Sequence, residues 1–187
     1  MVTMLQRQFS SLANYNYRIY WSAQVVSVTG TWMQRIAQAW LVLQLTNSPF
    51  ALGTIATVQF LPVLLFSLFG GVFADRLPKA KVLRITQGVM AAQAVLFAVL
   101  TSTGLINLGE VYVLSAILGV ASALDTPTRQ AFIVEMVGPE DLPNAIALNS
   151  IQFNVARIAG PALGSIAITV IGALAGVVAL ATGAITL

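Results

Sequence analysis

The chain has 187 residues, 58% of them hydrophobic and 8% charged, with a net charge of +3. A soluble domain carries about a quarter charged residues, so this composition excludes an ordinary soluble fold and points to an all-α integral membrane protein. It contains neither Cys nor His, which excludes disulfides, thiol nucleophiles and the usual transition-metal ligand sets; no metal and no cofactor is expected.

Residues 1–17 are polar and aromatic, without the short apolar core and small-residue cleavage site of a signal peptide. Tyr15, Tyr17, Tyr20 and Trp21 stand where an interfacial aromatic belt belongs. A first membrane helix is predicted over 18–45, ended by Thr46-Asn47-Ser48-Pro49. Along it Gln24, Ser27, Thr31, Gln34 and Gln38 recur at spacings of three and four, one helical face, with Arg35 beside it. Such a stripe must meet protein or water rather than lipid. Interhelical hydrogen bonding would explain the amides and hydroxyls, whereas Arg35 argues for a lined cavity.

A second helix is predicted over 50–74, with Gln59 and Pro62 inside, and a third over 82–103, where Gly88 and Gln93 read as packing residues. A fourth is predicted over 110–135. Ser115, Gly119, Ser122, Thr126 and Arg129 share one of its faces, flanked by Asp125 and Pro127. Asp125 and Arg129, four apart, are placed to pair within the helix. After the polar turn 137–141 a fifth helix is predicted over 143–170, with Pro143 in its first turn. Ala156, Gly160 and Gly164 make a small-residue face on it, beside Ser150, Asn154, Arg157 and Pro161. Residues 171–187 read as an incomplete sixth helix.

The bases set the orientation. Arg7, Arg18, Arg76, Lys79, Lys81 and Arg84 belong to the N-terminal segment and the loop after the second helix, while the turns at 46–49 and 104–109 carry none. By the positive-inside rule the N-terminus and that loop are cytoplasmic.

The loop itself, Gly71-Val72-Phe73-Ala74-Asp75-Arg76-Leu77-Pro78-Lys79-Ala80-Lys81, resembles the loop between helices two and three of the major facilitator superfamily, a Gly-x-x-x-Asp-Arg-x-Gly-basic-basic pattern. Gly71, Asp75, Arg76 and Lys79 match; Pro78 replaces the second Gly and Ala80 the second base. Ala159-Gly160-Pro161-Ala162-Leu163-Gly164 resembles the Gly-Pro-x-x-Gly signature of the antiporter branch, although Ser115 stands where proton antiporters often carry an Arg before Gly119. The runs 30–35, 45–49 and 127–132 are similar to the transmembrane secretion effectors, a branch that includes enterobactin-type siderophore exporters.

The resemblance implies a twelve-helix bundle of two six-helix halves, with helices one and four of the first half lining the central path. This chain would supply the N-terminal half: five full helices and a truncated sixth, set in a bacterial plasma membrane and completed by a C-terminal six-helix half. The implied pathway residues are Gln24, Ser27, Thr31, Gln34, Arg35, Gln38, Ser115, Ser122, Thr126 and Arg129. Gly71, Asp75, Arg76, Lys79 and Glu135 would form an inner gate, with Glu135 pairing with loop bases. Ala156, Gly160, Pro161 and Gly164 would pack on the partner half. Asp125, the one carboxylate placed well inside the hydrocarbon, is either a proton-coupling acid or a structural one neutralised by Arg129 or Arg157.

The leading reading is a secondary transporter exporting small amphipathic molecules or siderophores by alternating access. The alternative is a non-transporting fragment or assembly partner. An intramembrane enzyme finds no support, since no Ser sits beside a plausible base. With no Gly-x-x-x-x-Gly-Lys loop, nucleotide drive within this chain is excluded, and the placement of the bases speaks of topology rather than nucleic acid.

Overall fold

The computed structural model describes residues 10–76 and 78–171, and the side chains of 67–76, 168, 170 and 171 lie outside the described set. The expected sixth segment and the side chains of Gly71, Asp75 and Arg76 therefore lie outside the described residues.

Among the described residues the regular structure is entirely helical. A short 3-10 helix, Ser10–Ala13, leads into α1 (Tyr15–Thr46), followed by α2 (Pro49–Arg76) and α3 (Lys79–Ser102). The helical span Leu108–Ile171 is broken at Gly138, whose φ of 74° and ψ of 174° are non-helical, and divides into α4 (108–137) and α5 (139–171). Only a residue without Cβ takes that φ cheaply. Pro139 then opens α5, where its missing amide proton is no loss, so the helix starts before Pro143.

The helix ends follow local chemistry. Asn14 caps α1, its Oδ1 accepting from the amides of Asn16 (3.1 Å) and Tyr17 (3.3 Å). Asn47 ends α1 in the left-handed region at φ 48°. Asn107 and Glu110 form a reciprocal capping box, with the Glu110 amide donating to Asn107 Oδ1 (3.1 Å) and the Asn107 amide donating to Glu110 Oε2 (2.8 Å). That box sets the start of α4 at Leu108.

Among the described residues three helical spans are long and apolar enough to cross a membrane: Pro49–Phe66, Lys79–Ser102 and the kinked Leu108–Ala167, with mean hydropathies of 1.8, 1.6 and 1.5. The first helix is not among them, because its polar stripe and two arginines dilute a 32-residue segment. It is held by its neighbours instead. It runs against α4 in the opposite direction, with Gln38 beside Ser115 and Asn14 beside Met136. It runs alongside α5 in the same direction, with Tyr17 beside Ala145 and Trp32 beside Gly160.

Two apolar clusters close the ends of the bundle. Leu41, Val42, Ile55, Phe97, Val111 and Leu114 pack at one end, and Tyr17, Ile133, Ala145 and Leu148 at the other. Tyr17 is thus fully buried, its hydroxyl donating to the Ala145 carbonyl (3.1 Å), rather than standing in an interfacial belt. The 3-10 turn joins the same end: Ser10 Oγ donates to Asp141 Oδ1 (2.6 Å) and Ser11 Oγ to Asn144 Oδ1 (2.7 Å). Between the clusters lies a polar middle.

Candidate functional site

The polar middle is built from α1 outward. Gln38 is 2% exposed; its Nε2 donates to Ser115 Oγ on α4 (2.5 Å), and its Oε1 accepts from Gln59 Nε2 on α2 (3.2 Å). One turn earlier Gln34 Nε2 donates to Gln93 Oε1 on α3 (3.0 Å). Two turns further, Ser27 Oγ donates to Gln87 Oε1 at 3.4 Å. A void of about 20 Å³ lies among Ser27, Thr31, Gln34 and Gln87, room for about one water. Gln24 is buried with Oε1 unpartnered, beside a cleft of about 270 Å³ that Tyr20, Arg84, Gln87 and Phe132 also line.

An open lining face was expected from the spacing of this stripe. The structure turns Gln24, Ser27, Gln34 and Gln38 inward and bonds the last three to α2, α3 and α4. Thr31 is half-buried and returns its hydroxyl to the Ser27 carbonyl (3.0 Å). The α4 stripe divides similarly: Ser115 is fully buried, Ser122 and Arg129 are half-buried, and Thr126 is exposed. Gly119 is buried because α2 passes directly over it; an added Cβ would lie 2.6 Å from the Gln59 carbonyl oxygen.

Asp125 is 3% exposed and saturated with donors. Thr86 Oγ1 (2.8 Å) and Gln87 Nε2 (3.0 Å) donate to Oδ1, while Arg129 Nε (3.0 Å) and its second nitrogen donate to Oδ2. The i,i+4 pair foreseen from the spacing is present. Thr86 and Gln87 were not singled out; their only signal is an adjacent polar pair inside an apolar helix. Arg157, the other base considered for Asp125, is exposed on α5.

The small face of α5 is seated on α1. Ala156 is 1% exposed, and an added Cβ at Gly160 would lie 2.5 Å from Trp32 Cβ and 3.1 Å from the Thr29 carbonyl. At Gly164 an added Cβ would meet Met33 at 3.4 Å. Pro161 is half-buried on the same helix. The close approach expected against a partner half is therefore made within this chain.

Arg35 differs from the rest of its helix. Its guanidinium lies 4.6 Å from the Trp32 ring centroid and 5.9 Å from that of Phe60 on α2, and its buried Nε has no hydrogen-bond partner. Trp32 is held in turn by Phe153 of α5, edge to face at 5.8 Å. Phe60 also lines an open groove of about 500 Å³ with Thr57, Leu61, Val63 and Leu64. Phe60 carried no signal in the sequence beyond its place in an apolar helix.

At the far end of α4, Lys79 forms an ion pair with Glu135, joining the start of α3 to α4. Among the described residues no cluster of three metal-ligating side chains is present.

The sequence pattern of the transmembrane secretion effector family matches residues 6–186. Among curated proteins, the staphyloferrin A transporter of Staphylococcus aureus is 27% identical over 154 residues, covering 82% of this chain and 39% of its own length. The uncharacterized MFS-type transporter YfiS of Bacillus subtilis is 27% identical over 144 residues, covering 76% and 33%. The multidrug efflux pump Tap of Mycolicibacterium fortuitum is 26% identical over 157 residues, covering 81% and 38%. The matches thus span a third to two-fifths of the length of these relatives. No solved structure gives a significant match.

Proposed function

Because the chain belongs to the transmembrane secretion effector family, we propose that it forms the N-terminal half of a secondary transporter that exports small amphipathic molecules or siderophores by alternating access. The observation that carries this reading is Arg35, a base in the middle of a helix, carried on aromatic rings beside an open apolar groove. A bundle built only for stability has no use for such a group. The names of two relatives, a staphyloferrin A transporter and a multidrug efflux pump, support a small-molecule cargo.

In this reading the N-terminus and the Asp75 loop face the cytoplasm of a bacterial cell. A second six-helix half closes the path over Arg35 and the groove, and the two halves rock about a site near the midplane. The Lys79–Glu135 pair, with Asp75 and Arg76, forms the inner latch. The four donors on Asp125 favour a structural role over proton coupling, since a carboxylate held by Arg129, Thr86 and Gln87 has no free lone pair facing a path.

A second reading, an assembly partner that does not transport by itself, draws support from the internal bonding of Gln34 and Gln38, which lets the half-bundle stand alone. One experiment separates the two. The chain is reconstituted in liposomes with and without a C-terminal half from a relative, and uptake of a fluorescent amphipathic dye is followed under an imposed ion gradient. Saturable uptake is expected only with both halves. Uptake by the chain alone would overturn the half assignment, and none in either preparation would overturn transport.

A further inference from the structure

Resting on the transporter reading, we propose that Arg35 is the anion-recognition group of the substrate site, so that the cargo is an organic anion: a carboxylate or similar oxyanion attached to an apolar body that lies along the Phe60 groove.

Trp32 and Phe60 lie against the Arg35 guanidinium at 4.6 and 5.9 Å. Ring contacts do not consume its N–H donors, whose planar fork matches a carboxylate in bidentate fashion. The Nε is buried and makes no hydrogen bond. An arginine in a membrane interior is costly unless paired, and among the described residues no acidic side chain pairs with it. Among the described residues the ion pairs are Lys79–Glu135 and Asp125–Arg129. Glu110 is engaged in the α4 cap, and Asp141 accepts from Ser10. Glu140 sits beside the Gly138 break, at the end of the bundle where Ser10 meets Asp141. Asp75 lies fifteen positions along α2 from Phe60, about 22 Å at helical rise.

Arg35 and Phe60 also share a depth in the bundle. Arg35 stands eleven residues before the end of α1 at Thr46, and Phe60 eleven residues after the start of α2 at Pro49. At 1.5 Å per residue both lie about 16 Å from the α1–α2 turn, close to half of a hydrocarbon core of about 30 Å. The base is therefore at the level where a cargo between two halves would be held. The groove beside it is apolar: Leu61 and Leu64 are 47% and 69% exposed, and Thr57 returns its hydroxyl to the Gly53 carbonyl. A charged head at Arg35 and an apolar body along Phe60 is the amphipathic shape these surfaces accept.

The test uses the protein assembled with its second half in nanodiscs of phosphatidylcholine. Binding of 1-naphthoate, 1-naphthylmethylammonium and 1-naphthylmethanol is measured by equilibrium dialysis against empty discs. These probes share a ring system and differ in charge. Naphthoate is expected to bind saturably and about tenfold or more tighter than the ammonium. Arg35→Gln should reduce naphthoate to the level of the alcohol, while Arg35→Lys, a point charge without the planar fork, should keep part of the preference.

Equal binding of the anion and the ammonium, or an anion preference that survives Arg35→Gln, overturns the proposal. If Arg35→Gln does not yield folded protein by size exclusion, Arg35→Lys decides, because an undiminished preference there excludes the fork. Loss of naphthoate binding when the discs contain phosphatidylglycerol would assign the site to a lipid headgroup and overturn the cargo assignment. Binding is read without flux, so anion selectivity without transport, or transport without anion selectivity, separates this inference from the transporter reading.

Discussion

Asp125 and Arg35 are both charges inside the helical bundle, and the protein treats them in opposite ways. The acid is enclosed by four donors from α3 and α4, including an arginine of its own helix. The base rests on two aromatic rings and has no acceptor at Nε. Burying a charge with a full complement of partners welds helices together, and removing one partner leaves the other stranded. Burying one with an N–H left unfilled contributes little to the fold and leaves a donor for a ligand. Under the proposed transport function, the contrast separates a structural charge from a substrate-binding one.

The largest test of this contrast is Asp125→Ala. It strands Arg129 among buried groups, and a loss of about 3–5 kcal/mol in unfolding free energy is expected from broken buried pairs. Thermal unfolding followed by circular dichroism in detergent measures it, and a loss under about 1 kcal/mol would mean that the pair is not a structural one. Next comes Gly160→Val. The new side chain collides with Trp32 at Cβ and with the Thr29 carbonyl, so a cost of about 1–3 kcal/mol is expected from overpacking. The same change moves the ring beneath Arg35, and naphthoate affinity should fall with it. Retained affinity in a destabilised Gly160→Val would detach Arg35 from its platform.

Gln34→Leu should cost about 0.6–1.7 kcal/mol, the range for interhelical hydrogen bonds in membranes. The double change Gln34→Leu with Gln93→Leu should recover most of that, since both partners are then apolar; a double mutant as unstable as the sum of the singles would show that the two amides are not partners. The smallest effect is expected from Arg35→Gln, within about 0.5 kcal/mol of the parent. If its unfolding midpoint falls as far as that of Asp125→Ala, the base is structural after all and the contrast fails.

How far these features could be read in advance depends on distance along the chain. The Asp125–Arg129 pair was legible because four residues make one helical turn. The face formed by Gln24, Ser27, Thr31, Gln34 and Gln38 was legible for the same reason. What that face meets was not. Whether Gln34 looks at Gln93 or at an open cavity is decided by packing between α1 and α3, on which periodicity is silent. Tyr17 illustrates the same limit: an aromatic near a helix start fits an interfacial belt or a core equally well, and the carbonyl of Ala145 chooses the core. Phe60 was invisible in an apolar run, because only the arrival of α1 gives its ring a cation to face. The start of α5 shows a local limit, since two prolines compete for its first turn and the conformation of Gly138 selects Pro139.

The bonds that tie the 3-10 turn to the α4–α5 junction span 131 residues between Ser10 and Asp141. At a synthesis rate of about 5–20 residues per second, Asp141 follows Ser10 by on the order of ten seconds. α1, which precedes these partners in the chain, is also the least apolar of the described helices. Through that interval its amides await Gln93 and then Ser115, and its own hydropathy does little to hold it in lipid. α1 is thus made before every helix that satisfies its polar groups, so its burial is complete only once α4 and α5 have followed it.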